Sequence, residues 1–269
     1  MNFDTHHCTA VITGASSGLG AEFARQLAPA AQALFLTGRR LDALEAVKAE
    51  CLKLNAGLTV HLSTADIATD EGRGSLLESV HSSGIRPNLL INNAGMGDYG
   101  TVATAEAAKL RTQMDLNMTA LVLLTHAFLP LLQRPGGIIN ISSLASTLPM
   151  PAMAVYAASK AFVTSFSEAL AVELEPQGIA VTCVCPGPTP TQFSKTARRP
   201  DGEDTDRDGQ DFLRIPPAQV VAEGLAALRK GQACVYPGLG VKIASRLFWH
   251  LPRFLLRTLL RRRFAKGTV

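Results

Sequence analysis

Residues 9–27 constrain this chain more than any other stretch. Thr9 to Thr13 is a short apolar, β-branched run of the kind a buried strand needs. Gly14-Ala15-Ser16-Ser17-Gly18-Leu19-Gly20 follows at once, and Ala21 to Leu27 then returns apolar residues at helical spacing. Strand, glycine-rich turn and helix in direct succession set the amino end of a helix over the carboxyl end of a strand. There the helix N–H groups stabilise an anion, and glycines let a pyrophosphate approach the backbone. Gly14, Ser16, Ser17, Gly18, Leu19 and Gly20 are therefore candidate dinucleotide-binding residues. The spacing is Gly-x-x-x-Gly-x-Gly rather than the commoner dinucleotide fingerprint. A structural turn would use the same glycines; the strand–turn–helix context favours the phosphate reading.

The same alternation runs on. Strands are expected at Ala33 to Thr37, Leu58 to Ser63, Leu89 to Ile91, Gly137 to Ser142 and Ala180 to Val184. Helices are expected at Leu41 to Leu54, Leu76 to His81, Ala105 to Leu132, Ser159 to Glu175 and Pro217 to Leu228. Regular alternation implies an α/β chain: a doubly wound parallel sheet with helices on both faces. At 269 residues with no interdomain linker it reads as one domain, and 47 % hydrophobic against 18 % charged residues is enough for a large core. The apolar run Leu121 to Leu132 holds His126 and Pro130 and is too short to cross a bilayer. No signal peptide is expected, because polar residues with His6-His7 run straight into the first strand. Those histidines have no partner cluster, and Cys183 and Cys185 alternate along an apolar strand as core thiols do, so no metal site is expected. Five cysteines without a framework fit a reducing, cytoplasmic setting.

Three further places carry chemistry. The second strand ends in Gly38-Arg39-Arg40, where an NAD site usually has an acidic residue for the ribose hydroxyls. A carboxylate would repel a 2′-phosphate and a guanidinium binds one, so Arg39, helped by Arg40, points to NADP. The fourth strand ends in Asn92-Asn93-Ala94-Gly95, small and amide residues at a ligand crevice, and Asn117 lies in an otherwise apolar helix where it needs a partner. Finally, Tyr156-Ala157-Ala158-Ser159-Lys160 reads as the start of a helix, with Tyr156 and Lys160 one turn apart on one face. A lysine beside a phenol is expected to lower the tyrosine pKa, so that it can trade a proton with an alcohol or ketone oxygen. Ser142 and Ser143, at the end of a strand, could bond the same oxygen.

Taken in order, these motifs resemble the short-chain dehydrogenase/reductase family over roughly Thr9 to Tyr236. The resemblance implies a Rossmann-type fold. Asn117, Ser143, Tyr156 and Lys160 fall where that family has its catalytic tetrad; Ser143 is chosen because the family's serine lies thirteen residues before its tyrosine. Asp66, with Ile67, is similar to the adenine contact, and Asn93, Ala94 and Gly95 to the sheet-stabilising motif. Pro186, Gly187, Thr189 and Thr191 are similar to the nicotinamide-side loop, and Arg39 to the usual NADP determinant. The implied roles are Tyr156 as general acid and Ser143 orienting the carbonyl. Lys160 lowers the tyrosine pKa and bonds the nicotinamide ribose, and Asn117 holds a water that relays protons to Lys160. Ser17 is uncharged where some NADP-dependent members carry a base. The implied activity is reduction of a ketone or aldehyde with NADP(H), and the apolar Met96, Leu144, Leu148, Met150, Met153 and Phe193 suit a lipid- or steroid-like substrate. Two alternatives are an NAD(P)-dependent alcohol dehydrogenase and a non-catalytic NADP(H)-binding scaffold; the presence of both Tyr156 and Lys160 argues against the second.

Residues 1–236 are thus expected to form the catalytic domain, with a polar, mobile substrate lid at about 192–215, and 237–269 a tail. The tail is basic. Ten of the 26 Lys and Arg residues lie beyond Glu223, the last acid, so residues 1–223 carry 16 bases against 22 acids, a net of −6. That excludes a general nucleic-acid-binding surface. Leu239 to Phe264 interleaves arginines with large apolar residues and is split at Pro252 into two short helices. Such a segment suits peripheral contact with the cytoplasmic membrane face, or a helix packed over the substrate pocket or a partner subunit. A homodimer or homotetramer is expected through the helices at Ala105 to Leu132 and Ser159 to Glu175, which the family uses for subunit contact.

Overall fold

The computed structural model describes residues 3–197 and 211–266. Seven strands, β1 (Thr9–Thr13), β2 (Ala33–Gly38), β3 (Thr59–Thr64), β4 (Leu89–Asn92), β5 (Gly136–Ile141), β6 (Ile179–Val184) and β7 (Cys234–Val235), form one sheet in the order β3-β2-β1-β4-β5-β6-β7. Every pairing is parallel. The helices are α1 (Gly18–Leu27), α2 (Leu41–Leu54), α3 (Asp70–Ser82), α4 (Ala107–Met114), α5 (Ala120–Phe128), α6 (Ala154–Leu174), α7 (Phe193–Ala197), α8 (Pro217–Arg229), α9 (Leu239–His250) and α10 (Arg253–Lys266). The doubly wound expectation holds, with β7 an edge strand too short to read from sequence.

Alternation along each strand sends successive residues to opposite faces. Ile12, Leu34, Ile91 and Ile139 pack under α1, α2 and α8 with Phe23, Leu44 and Val221. Val11, Phe35, Leu90 and Ile138 face the other way, onto Leu76, Leu124, Phe128 and Leu170 of α3, α5 and α6. Most of these side chains are fully buried, and each such Leu, Ile or Phe contributes roughly 1.5–3 kcal/mol. Polar groups pin the buried centre of the sheet. Asn92 donates to Asn140 Oδ1 and to Thr125 Oγ1, both at 2.9 Å, and Asn140 donates to Ser167 Oγ at 2.9 Å. That chain of amides ties β4 and β5 to α5 and α6.

Three expectations change. The helix expected over Ala105 to Leu132 is α4, a π-helical turn at Asp115–Thr119, and α5. It stops at Phe128 because Pro130 has no N–H for the next turn. Helix α3 begins earlier than expected, with Thr69 Oγ1 capping Gly72 N at 3.0 Å and Asp70 and Glu71 in the first turn, favourable at the positive end of a helix. The stretch expected as a lid has structure at both ends: α7 packs Phe193 against Tyr156, Tyr99 N donates to Ala197 O at 2.9 Å, and Ile215 is buried. The rest of that lid, residues 198–210, lies outside the described residues. No helix among the described residues is long and apolar enough to cross a membrane.

Candidate active site

The chain leaves β1 toward β2 and β3 on one side and returns to β4 on the other, so the carboxyl ends of β1 and β4 bound a crevice, the usual ligand position in such sheets. Gly14 (φ +64°) and Gly18 (φ +57°) take left-handed conformations there, which glycine adopts without strain. A Cβ on Gly20 would collide with the Gly14 carbonyl, so α1 can start this close to β1 only with glycine. Asn93 holds the turn: its amide donates to Thr13 O at 2.8 Å and Gly14 O at 3.2 Å. Thr13 Oγ1 answers by accepting the N–H groups of Asn93 and Ala94, each at 3.0 Å. The resemblance already places Thr13 at the head of the glycine motif, Thr13 to Gly20, but its role of holding Asn93 and Ala94 is not read there, because a threonine at a strand end is unremarkable by itself.

The crevice fits a dinucleotide. Ser17 precedes α1 without any side-chain capping bond, and the first turn of α1 has no acid. Its leading N–H groups are therefore left for an anion. Ser16 lies so close to Gly38 that a Cβ there would approach Ser16 Oγ to 3.3 Å. Arg39 and Arg40 are exposed just beyond. Asp66 is exposed after β3, its Oδ1 accepting Ala68 N at 3.1 Å, and Ile67 beside it is buried. The loop after β6 closes the other side. Pro186 O accepts Leu144 N at 2.8 Å, Thr189 Oγ1 donates to Gly187 O at 3.0 Å, and Thr191 stands against Gly18.

The four candidate catalytic residues converge behind this crevice. Ser142 turns into the core, its Oγ donating to Lys160 O at 2.8 Å beside Thr164, whereas Ser143 is half-buried and contacts the Tyr156 hydroxyl. Ser143 Oγ also caps the 3-10 turn Leu144–Thr147 by accepting Ala145 N at 3.1 Å. Tyr156 and Lys160 are both buried, with Nζ 5.9 Å from the ring centroid. Asn117 sits in the π-helical turn, a frequent feature of functional sites. Its Oδ1 accepts Met96 N at 2.9 Å, and its Nδ2 donates to Met96 O at 2.9 Å and Ser159 Oγ at 3.0 Å. Gly95 lies between it and Lys160: a Cβ there would be 3.3 Å from Asn117 Oδ1 and 3.4 Å from Nζ.

The expected lowering of the tyrosine pKa by lysine is absent. Lys160 Nζ donates to Ile141 O at 2.8 Å and stands over the ring rather than at the hydroxyl. Burial pushes the Tyr156 phenol up to about 12 despite the Ser143 contact, and burial pushes Lys160 down to about 8. A cofactor-free test follows. Between its folded value near 8 and the ordinary 10.5, Lys160 binds fewer protons folded than unfolded, so its contribution to stability rises with pH through that window. Tyr156 acts oppositely, but only above pH 10. Relative to Lys160→Met, the wild type should gain about 2 kcal/mol of unfolding free energy from pH 7 to pH 10. Urea denaturation of the pair checks this; a pH-independent difference would mean that Lys160 is not desolvated.

Apolar side chains wall the space in front of Tyr156. Met150, Met153 and Phe193 pack with Ala145, Tyr156 and Ala157, and the Phe193 and Tyr156 rings lie 5.4 Å apart. Leu144 instead packs with Leu213 and Tyr236 and with Val241, Ala244 and Phe248 of α9. One face of the tail's first helix therefore packs on the turn that follows Ser143, which the sequence left open.

Fold and crevice are those of an α/β oxidoreductase with a site for a nicotinamide dinucleotide. The sequence model described as short chain dehydrogenase matches residues 8–202, and the chain belongs to that family, whose members interconvert carbonyl and alcohol carbons. It is 38 % identical over 187 residues to a sulfoacetaldehyde reductase of Chromohalobacter salexigens, covering 68 % of this chain and 73 % of that one. A short-chain dehydrogenase from Sphingobium yanoikuyae in complex with NADPH superposes with a TM-score of 0.76 at 27 % identity, covering 97 % and 96 % of the two chains. A short-chain dehydrogenase/reductase from Burkholderia phymatum in complex with NAD shares the fold, with a TM-score of 0.76 at 23 % identity over 91 % and 94 %.

Proposed function

We propose that this protein is an NADP(H)-dependent reductase of apolar, lipid- or steroid-like ketones or aldehydes. The observation that carries the cofactor preference is the end of β2. There Gly38 offers no carboxylate and stands against Ser16, whose Oγ a Cβ would approach to 3.3 Å, and two exposed arginines follow. The ribose 2′-phosphate would lie between Ser16, Ser17, Arg39 and Arg40. The pyrophosphate would lie on Gly14, Gly18, Leu19 and Gly20, the adenine near Asp66 and Ile67, and the nicotinamide between Gly95, Pro186, Gly187, Thr189 and Thr191. When bound, NADPH supplies the hydride that reduces the carbonyl carbon. Tyr156 gives its proton to the developing alkoxide and Ser143 orients that oxygen. Lys160, freed from Ile141 O, bonds the ribose and stabilises the phenolate left behind. Asn117 anchors the water that returns a proton through Lys160. Met150, Met153, Phe193 and Leu144 exclude bulk water and favour an apolar substrate. NADPH consumption against ketones of graded chain length, with NADH alongside, tests this. Turnover should favour NADPH and rise with apolar length; faster turnover with NADH would overturn the cofactor assignment.

Leu123, Phe162 and Val172 are exposed on α5 and α6, which supports a homodimer or homotetramer through those helices. Light scattering at micromolar concentration should give a multiple of the chain mass, and a monomer mass would count against the assembly. The outer side of the tail favours a cytoplasmic location with peripheral membrane contact. Leu239, Ile243, Leu247, Trp249 and Phe254 are exposed beside Lys242, Arg246 and Arg257, with no acid in the tail. Each base near an anionic surface adds about 1 kcal/mol and the apolar side chains add a salt-insensitive part. The full chain should pellet with anionic vesicles, less so in high salt, and a chain ending before Leu239 should not; no pelleting at low salt ends this reading.

A further inference from the structure

Three thiols that the reaction does not use come together on the α6 side of β6 and β7. Cys183 lies on β6 and Cys185 one residue past its end, two residues apart in extended chain and so facing the same way, and Cys234 of β7 is in register with Cys183. Cys185 Sγ lies 3.7 Å from Cys183 Sγ and 3.8 Å from Cys234 Sγ, and all three sulfurs lie within 4.8 Å of one another. Among the described residues no other three such ligating side chains converge this way. Thr164 Oγ1 stands 3.7 Å from Cys185 Sγ and 3.8 Å from Cys183 Sγ, an oxygen donor over the same group.

The spacing suits a shared ion. A zinc–thiolate bond is about 2.3 Å long, so two such bonds at a tetrahedral angle hold their sulfurs about 3.8 Å apart. The two separations to Cys185 match an edge of that tetrahedron, and the third pair lies within 4.8 Å. We propose that Cys183, Cys185 and Cys234 form a three-thiolate site for a thiophilic divalent cation of the zinc class, with the Thr164 hydroxyl or a water as fourth donor. The binding step is the exchange of three S–H protons for one divalent cation. Three protons go to solvent, three metal–sulfur bonds form, nothing is oxidised, and the site is left with one negative charge.

Access supports it. Cys234 is half-buried on the edge strand and lines a cavity of about 820 Å³ together with Tyr236, Lys242, Ser245 and Trp249, which gives an ion a way in. Thr164 Oγ1 also donates to Lys160 O at 3.1 Å, so the site lies directly behind the helical turn that carries Lys160.

Cadmium, a spectroscopic substitute for zinc, tests the proposal on the full chain kept reduced by a phosphine. Titration should produce an ultraviolet thiolate-to-cadmium absorption saturating at one ion per chain, with close to three protons released per ion in weakly buffered solution. Added zinc should displace the band. Cys234→Ser, at the partly exposed edge and checked for folding by circular dichroism, should lose the stoichiometric band, whereas Cys51→Ala, remote from the group, should keep it. Absence of a saturable band in the wild type overturns the proposal without any variant. So does a band that survives Cys234→Ser, or one that vanishes in a folded Cys51→Ala protein.

Discussion

Tyr156→Phe is expected to lower kcat by about a hundredfold or more, the usual scale for losing an acid–base group, while cofactor affinity stays near the wild-type value. The variant keeps the ring that packs on Phe193, Ala145 and Ala157 and loses only the hydroxyl that meets Ser143. Folding and the substrate wall should therefore survive. The phenol's raised pKa sharpens the point: in the cofactor-free protein Tyr156 is a neutral acid throughout the physiological range, ready to donate. The phenolate it leaves needs a positive charge nearby, and Lys160 is the only cation buried beside it among the described residues. Near-normal turnover by Tyr156→Phe, on a substrate the wild type reduces, would remove the tyrosine from the mechanism.

Arg39→Ala is expected to weaken NADPH binding by roughly 1.5–3 kcal/mol, the range for a hydrogen bond to a charged group, and to leave NADH almost unchanged. That is a narrowing of the preference by about ten- to a hundredfold. The arginine is exposed and makes no ion pair or hydrogen bond among the described residues, so removing it costs the free protein little. Gly38→Asp supplies the converse: a carboxylate crowded against Ser16 should repel the 2′-phosphate and shift the preference toward NADH. Titration of intrinsic fluorescence with each cofactor reads both variants. Equal dissociation constants for the two cofactors in the wild type would refute the assignment.

The fold was legible because its signals are local and repeated. Short β-branched runs alternate with helical spacing from Thr9 to Leu228, and the glycine turn fixes where the first helix starts. The site was legible where chemistry depends on spacing along one element, as with Tyr156 and Lys160 on α6. What escaped depends on contacts between distant segments. The π-helical turn at Asn117 leaves no local sequence mark; it comes with amide bonds to Met96 and Ser159, 21 and 42 residues away. The tyrosine pKa went the other way because helical spacing says nothing of burial or of the Ile141 carbonyl that captures Nζ. Strand β7, with two residues, has no periodicity to read, yet it brings Cys234 to Cys185. The packing of α9 on Leu144 likewise needs the tertiary fold, since a basic amphipathic helix reads alike whether its apolar face meets protein or lipid.

The central claim is that this crevice delivers hydride from NADPH to a carbonyl carbon under proton donation by Tyr156. Isotope transfer measures it directly: NADPH carrying deuterium at both nicotinamide C4 positions is incubated with the protein and a panel of apolar ketones and aldehydes, and the products are analysed by mass spectrometry. The account predicts an alcohol labelled on its carbinol carbon with the wild type and none above background with Tyr156→Phe. Unlabelled products throughout the panel, under conditions where NADPH is shown to be bound, would contradict it.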